Sequence, residues 1–162
     1  MSTGERVRGG IRMVSKILYS RKSDEWETPQ DLFDKLNETY HFDLDVCATE
    51  QNAKCDRFFD ATQDGLKKSW GGATIWCNPP YSNITEWVRK AAEEQQNGTT
   101  TVMLVPSRTD TKWFHAYVYE KPGVSIQFVK GRLRFGDSKN SAPFPSMIIV
   151  FRGIKNGTER TD

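Results

Sequence analysis

Two spacings of apolar residues alternate along the chain. From Ile84 onward, Ile84, Trp87, Val88, Ala91 and Ala92 recur at i, i+3, i+4, i+7 and i+8, and Asn97-Gly98 ends the run, which predicts an amphipathic helix. A second helix is expected over about 29–39. There Leu32, Phe33, Leu36 and Tyr40 share a face, Thr28 is a good N-cap and Pro29 suits the first helical position. Between the two, alternation takes over. Phe42-Asp43-Leu44-Asp45-Val46-Cys47 reads as a strand, and Thr74-Ile75-Trp76-Cys77, after Gly71-Gly72, as an apolar one. Arg57-Phe58-Phe59-Asp60 is the place for a short extra strand. Thr100–Val105 is β-branched and closed by Pro106, a short helix is expected over 111–119, and strands over about 124–129 and 146–151 flank a loop rich in Gly, Ser, Asn and Pro.

Strands alternating with helices through the middle of the chain predict an α/β fold with a mainly parallel sheet, its last two strands forming an antiparallel hairpin. Ligands in such sheets bind beyond the carboxyl ends of the strands, where Asp45, Asn78 and Pro106 fall. A length of 162 residues fits one domain. The expected division is a basic arm over 1–22, a catalytic domain over 23–155 and a tail over 156–162. Aromatic residues make up 12% of the chain and supply enough buried area to argue against general disorder. No run approaches the ~20 apolar residues that span a bilayer, and the start of the chain lacks the apolar core of a secretory signal, so a cytoplasmic protein without a membrane partner is expected.

Charge and cysteine content change this picture locally. The net charge is only +2, but Arg6, Arg8, Arg12, Lys16, Arg21 and Lys22 stand against Glu5 alone in the first 22 residues. A basic arm on a mildly acidic body suits phosphate attraction or a plain solubilising terminus. Cys47, Cys55 and Cys77 form no CxxC pair, and His41 and His115 lie far from each other, so neither a disulfide framework nor a metal site is expected.

The chemistry concentrates in Asn78-Pro79-Pro80-Tyr81, which follows a strand and precedes a helix. Two prolines remove backbone donors, so the loop presents carbonyl acceptors, and the Asn78 side chain adds another. Such a loop can hold an NH2 group by accepting both of its hydrogens, with Tyr81 as a stacking face for a planar base. Adenine N6 has its lone pair delocalised into the ring. Acceptors from Asn78 Oδ1 and the Pro79 carbonyl would localise that pair, after which attack on a sulfonium methyl needs only in-line positioning. A base inside a duplex would first be flipped out. Read as structure alone, the tetrapeptide is a proline-rich turn with an Asn cap.

The sequence resembles the phage-encoded Dam-type DNA N6-adenine methyltransferases from about Asp24 to Phe151. The resemblance rests on Trp26-Glu27-Thr28-Pro29, Phe42 through Ala48, Asp64-Gly65-Leu66 with Ser69-Trp70, and Trp76 through Tyr81. Leu104-Val105-Pro106 with Thr109, Thr111 and Trp113, and Gly131-Arg132-Leu133-Arg134-Phe135, extend it. It implies a Rossmann-like methyltransferase fold with a seven-stranded sheet, S-adenosylmethionine as methyl donor and DNA as substrate. By the same resemblance Trp26, Thr28, Pro29, Asp45, Cys47, Ala48, Asp64, Leu66 and Asn78 contact the cofactor, and Asn78, Pro79, Pro80 and Tyr81 form the catalytic motif. A phage or prophage origin, a host-cell cytoplasmic site and protection of phage DNA from restriction follow from it as expectations. One departure stands out: no GxG follows Asp45, only Val46, Cys47 and Ala48, whose small side chains at 47 and 48 would have to allow close approach. Asp60 is the candidate for the cofactor ribose if 57–60 is a strand.

Arg108, Lys112, Arg132 and Arg134 fall in loops or strand ends near the ligand face and are the candidate DNA contacts, Arg108 first among them. Trp113 and Phe135 are expected in the core. With 162 residues there is little room for a separate recognition domain, which leaves short-site specificity, weak specificity or a homodimer. Two other readings stay open on the residues alone. One keeps the chemistry but acts on RNA adenine or a protein glutamine amide; the other is a non-catalytic DNA-binding module that has kept the fold.

Overall fold

The computed structural model describes residues 26–155; the basic arm and the tail expected at either end lie outside the described residues. Helix α1 (Gln30–Tyr40) leads into strand β1 (Leu44–Asp45), and β2 (Thr74–Cys77) is followed by helix α2 (Ile84–Gln95). Strands β3 (Thr100–Pro106), β4 (Val124–Phe128) and β5 (Ser146–Phe151) complete a five-stranded sheet of order β1-β2-β3-β5-β4. β1, β2 and β3 are parallel neighbours, whereas β5 runs antiparallel to both β3 and β4. This is the mixed α/β, Rossmann-like arrangement the sequence predicts.

Alternation along the strands decides the layers. Ile75, Cys77, Met103, Val105, Met147 and Ile149 face one way and pack with Ile84, Trp87, Val88 and Ala91 of α2. Trp76, Val102, Leu104, Ile148 and Val150 face the other way, against Phe33 of α1 and Phe135 and Ala142 of the β4–β5 loop. Both faces are covered, which is why β3 and β5 are buried along almost their whole length.

Four expectations are corrected. The sheet has five strands among the described residues rather than seven. The segment expected as a strand at 57–60 forms a single parallel bridge, Asp45 to Phe58, flanked by Asp45 N–H to the Arg57 carbonyl and Phe59 N–H to the Asp45 carbonyl. β1 itself is shorter than the predicted 42–47, because beyond Asp45 the chain turns into the loop that lines the site. Helix α1 starts one residue later than predicted: Pro29 is its N-cap and no side chain caps it, so Thr28 is freed from that role. The 111–119 segment ends in a π-helical turn, Phe114–Val118.

Candidate active site

β1 has β2 on one side and the Phe58 bridge on the other, so the chain leaves it at a point where the connections diverge to opposite directions in the sheet. That is where an open α/β sheet leaves a crevice. A cavity of about 530 Å³ lies there, within the size range of small-molecule sites. From the end of β1 and the loop after it come Asp45, Val46, Cys47 and Ala48; from the segment before α1, Trp26, Glu27 and Thr28. Asp60, Asp64, Gly65 and Leu66 form another wall, and Asn78, Pro80, Glu86 and Trp87 close it from β2 and α2. Eight of the nine residues assigned to the cofactor by resemblance therefore share one cavity. Pro29 does not line it; its carbonyl accepts from Phe33 N–H at the start of α1.

The loop after β1 holds its shape without the usual glycines. Asp45 is buried, with Oδ1 accepting from Cys47 N–H at 3.3 Å and Oδ2 from Lys54 N–H at 3.0 Å. Farther along, Thr49 N–H donates to Asn52 Oδ1 and Asn52 N–H to Thr49 Oγ1. Burial pushes the Asp45 carboxyl up to about 6, although the backbone donors of Lys54 and Cys47 pull it down. A glycine from elsewhere in the chain packs closely onto this loop. A Cβ on Gly65 would lie 2.2 Å from the Val46 carbonyl oxygen and 3.1 Å from the Trp87 ring, so only glycine lets the 64–66 turn pack onto that loop. Asp64 caps this turn through its bond from Leu66 N–H.

At the β2 end, Asn78 is held through its amide nitrogen. Nδ2 donates to the Trp26 carbonyl in a short contact and to Thr28 Oγ1 at 3.0 Å. Oδ1 is left buried without a hydrogen-bond partner. Orphaned buried acceptors are rare in folded proteins and call for an explanation, which a ligand N–H would provide. Tyr81 is buried next to it, its hydroxyl also unpartnered. Burial pushes the phenol well above its ordinary pKa and Arg108 pulls it only partway back, so Tyr81 is neutral. Its ring stacks on Trp26 at 6.3 Å between centroids and meets Phe144 edge-on at 5.5 Å; Trp26 in turn meets Phe135 and Phe144.

The β4–β5 loop reaches this aromatic cluster with a second periodicity. In Val129 through Phe135 the odd positions 129, 133 and 135 turn inward, while Lys130, Arg132 and Arg134 are exposed. Gly136 N–H bonds the Glu27 carbonyl at 2.9 Å, so the basic edge is tied to the segment that holds Asn78. Arg108 and Lys112, after β3, are likewise exposed, and Trp113 and Phe135 are buried as expected. His115 bonds the Thr109 carbonyl and packs edge-on against Phe114 and Tyr119.

Gly65, Glu86 and Trp87 belong to the site without having been singled out. Trp87 was visible only as one apolar member of a helix face; nothing in the period shows that this face ends at a cavity. Gly65 sat within a recognised stretch, but the backbone it must approach lies 19 residues earlier in the chain.

Sheet and crevice together define an α/β domain of Rossmann-like fold, with an oriented amide beside its cavity. The profile of the family DNA N-6-adenine-methyltransferase (Dam) matches residues 15–161, and the chain belongs to that family. That places it among adenine-N6 DNA methyltransferases. It is 32% identical over 142 residues to the DNA N-6-adenine-methyltransferase of Haemophilus phage HP1, covering 82% of each chain. It is also 37% identical over 93 residues to the enzyme of the same name from Escherichia phage T1; that match spans 56% of this chain but only 39% of the T1 protein. A solved structure from Thermoplasma acidophilum, provisionally assigned as a methyltransferase, overlaps 81% of this chain and 66% of its own, with a TM-score of 0.41 and 9% identity. Among the described residues no helix is long and apolar enough to cross a membrane.

Proposed function

We propose that the protein transfers a methyl group from S-adenosylmethionine to the N6 amine of adenine in DNA, with the cavity as donor site and Asn78 as acceptor for the target amine. The observation that carries this reading is Asn78 Oδ1, a buried acceptor with no partner, on a residue that lines a nucleoside-sized cavity. The lining fits such a donor. Asp60, Asp64 and Glu86 offer carboxylates to ribose hydroxyls, Phe59, Leu66 and Trp87 offer apolar walls to a flat base, and Cys47 and Ala48 let the backbone come close. Bound there, S-adenosylmethionine supplies a methyl group on a sulfonium sulfur.

The chain's own residues act on the other reactant. Asn78 Oδ1 and the Pro79 carbonyl accept the two N6 hydrogens and draw the nitrogen toward tetrahedral geometry, so that its lone pair is available for bonding to carbon. Acceptors fixed in advance cost no reorganisation during the reaction, which is the strongest device available to an enzyme of this kind. Trp26 covers Tyr81, so a flipped adenine stacks on Tyr81 only as the indole gives way, one ring replacing another. Lys130, Arg132, Arg134, Arg108 and Lys112 supply phosphate contacts. In a phage setting the mark would shield phage DNA from restriction in the host cytoplasm.

The test is transfer of labelled methyl from S-adenosylmethionine to unmethylated duplex DNA, followed by nucleoside analysis, with RNA and a glutamine-containing peptide in parallel. N6-methyladenine in the DNA digest is the expected result. Label in RNA or peptide alone would reassign the substrate, because the same acceptors fit any planar NH2 group. No label and no donor binding would leave a DNA-binding module with a methyltransferase fold.

A further inference from the structure

We infer that the Trp26 main-chain carbonyl sets which end of the Asn78 amide faces the reacting nitrogen and that Thr28, as a positioning residue, locks the amide in that orientation. The inference rests on the role proposed above for Asn78 and adds to it a residue that acts through Asn78 rather than on the substrate. Asn78 carries two donors and one acceptor on a side chain that is nearly symmetric in shape, and only one of its two orientations can accept from an amine. The Trp26 carbonyl can only accept, so it takes an N–H from Nδ2. Thr28 Oγ1 takes the other at 3.0 Å. Rotating the amide by half a turn would bring Oδ1 against the Trp26 oxygen, two acceptors facing each other in a buried corner.

Thr28 is free for this role. It is 3% exposed and lies one residue before Pro29, the N-cap of α1, and no side chain caps that helix. Its place on the cavity wall would allow a donor-binding role instead, and the two roles make opposite predictions. As a positioning residue it also strengthens the acceptor: when both amide N–H groups are engaged, electron density shifts toward Oδ1, as in any cooperative hydrogen-bond chain.

The experiment compares Thr28→Val, which keeps the shape and removes the oxygen, with Thr28→Ala and with Thr28→Ser, which restores it. The first readout is hydrogen exchange of the Asn78 side-chain NH2 by 15N NMR, assigned by its loss in Asn78→Ala. The second is the split between kcat and donor Kd. Thr28→Val and Thr28→Ala are expected to speed exchange and to lower kcat about tenfold, the scale of one lost buried hydrogen bond, with donor Kd within about twofold. Thr28→Ser should recover most of both. Exchange unchanged in Val and Ala variants that are folded by circular dichroism would overturn the inference. So would a weakened donor Kd with kcat intact. If wild type methylates nothing in DNA yet Thr28→Val opens the amide, the positioning stands and the reaction assigned above fails.

Asn78→Asp gives an arm that does not depend on Thr28 variants folding. It sets a carboxylate oxygen against the Trp26 carbonyl at neutral pH, whereas a protonated carboxyl can donate there again. Its activity relative to wild type should therefore rise as pH falls from 8 toward 5. A variant as active as wild type at pH 8 would show that nothing fixes the orientation.

Discussion

Asn78 sits in a loop whose character is written in four consecutive residues, and its side chain is fixed by two partners only two residues apart, Trp26 and Thr28. The cavity beside it, proposed as the donor site, is assembled from five separate stretches between Trp26 and Trp87, and one of its walls depends on a glycine meeting a backbone carbonyl 19 residues away in sequence. The acceptor loop is thus local chain chemistry held in place by one distant segment, whereas the cavity is built by packing throughout. Damage at the first should remove chemistry and leave binding; damage at the second should remove binding and stability together.

The sharpest way to separate the two ends is Asn78→Ala. Losing an aimed acceptor at the reacting atom is expected to lower kcat by about 10²–10³, with donor Kd changed by no more than about threefold in a binding titration. Equal losses in both would erase the distinction. Gly65→Ala attacks the other end. A methyl 2.2 Å from the Val46 carbonyl forces that loop or the 64–66 turn to shift. Overpacking of this kind costs about 1–3 kcal/mol in denaturant unfolding, and donor binding should weaken with it.

A third probe of the cavity end uses pH. The Asp45 carboxyl is raised to about 6 in the folded chain, above its ordinary 3.8, chiefly by burial. The folded state therefore holds this proton more tightly than the unfolded chain does. The contribution is fully present below about pH 4 and is lost as pH rises through 6, by up to about 3 kcal/mol at roughly 1.4 kcal/mol per pKa unit. Asp45→Asn should flatten that part of the curve of unfolding free energy against pH between 4 and 7; an unchanged slope would assign it to other groups. The smallest effect is expected at the basic edge. Arg132→Ala and Arg134→Ala should each weaken DNA binding several-fold and reduce the slope of log Kobs against log salt by about one, leaving donor Kd alone.

Most of the architecture was legible because it depends on local periods. The Ile84–Ala92 pattern gave α2, and Thr74–Cys77 and Thr100–Val105 gave two central strands almost to the residue, since a strand buried on both faces needs a continuous apolar run. Local pattern and structure part where long-range pairing decides. Phe42–Cys47 has the alternation of a six-residue strand, but only two residues find a strand partner across the sheet before Asp45 turns its carboxylate onto the following loop. Thr28 has every local property of a helix cap and instead engages Asn78, 50 residues on.

The α/β class and the Asn-Pro-Pro-Tyr loop at a strand end can be read from the amino-acid order alone, because apolar period and proline geometry act between residues close together in the chain; the family is read from its ordered motifs. Only the assembled sheet shows that Thr28 and the Trp26 carbonyl hold the Asn78 amide, that Gly65 packs onto the Val46 carbonyl, and that the basic positions 130, 132 and 134 form one edge tied through Gly136 and Glu27 to the segment holding Asn78. Each of those is a contact between segments far apart in sequence, fixed by the packing of the whole sheet and recorded in no local pattern.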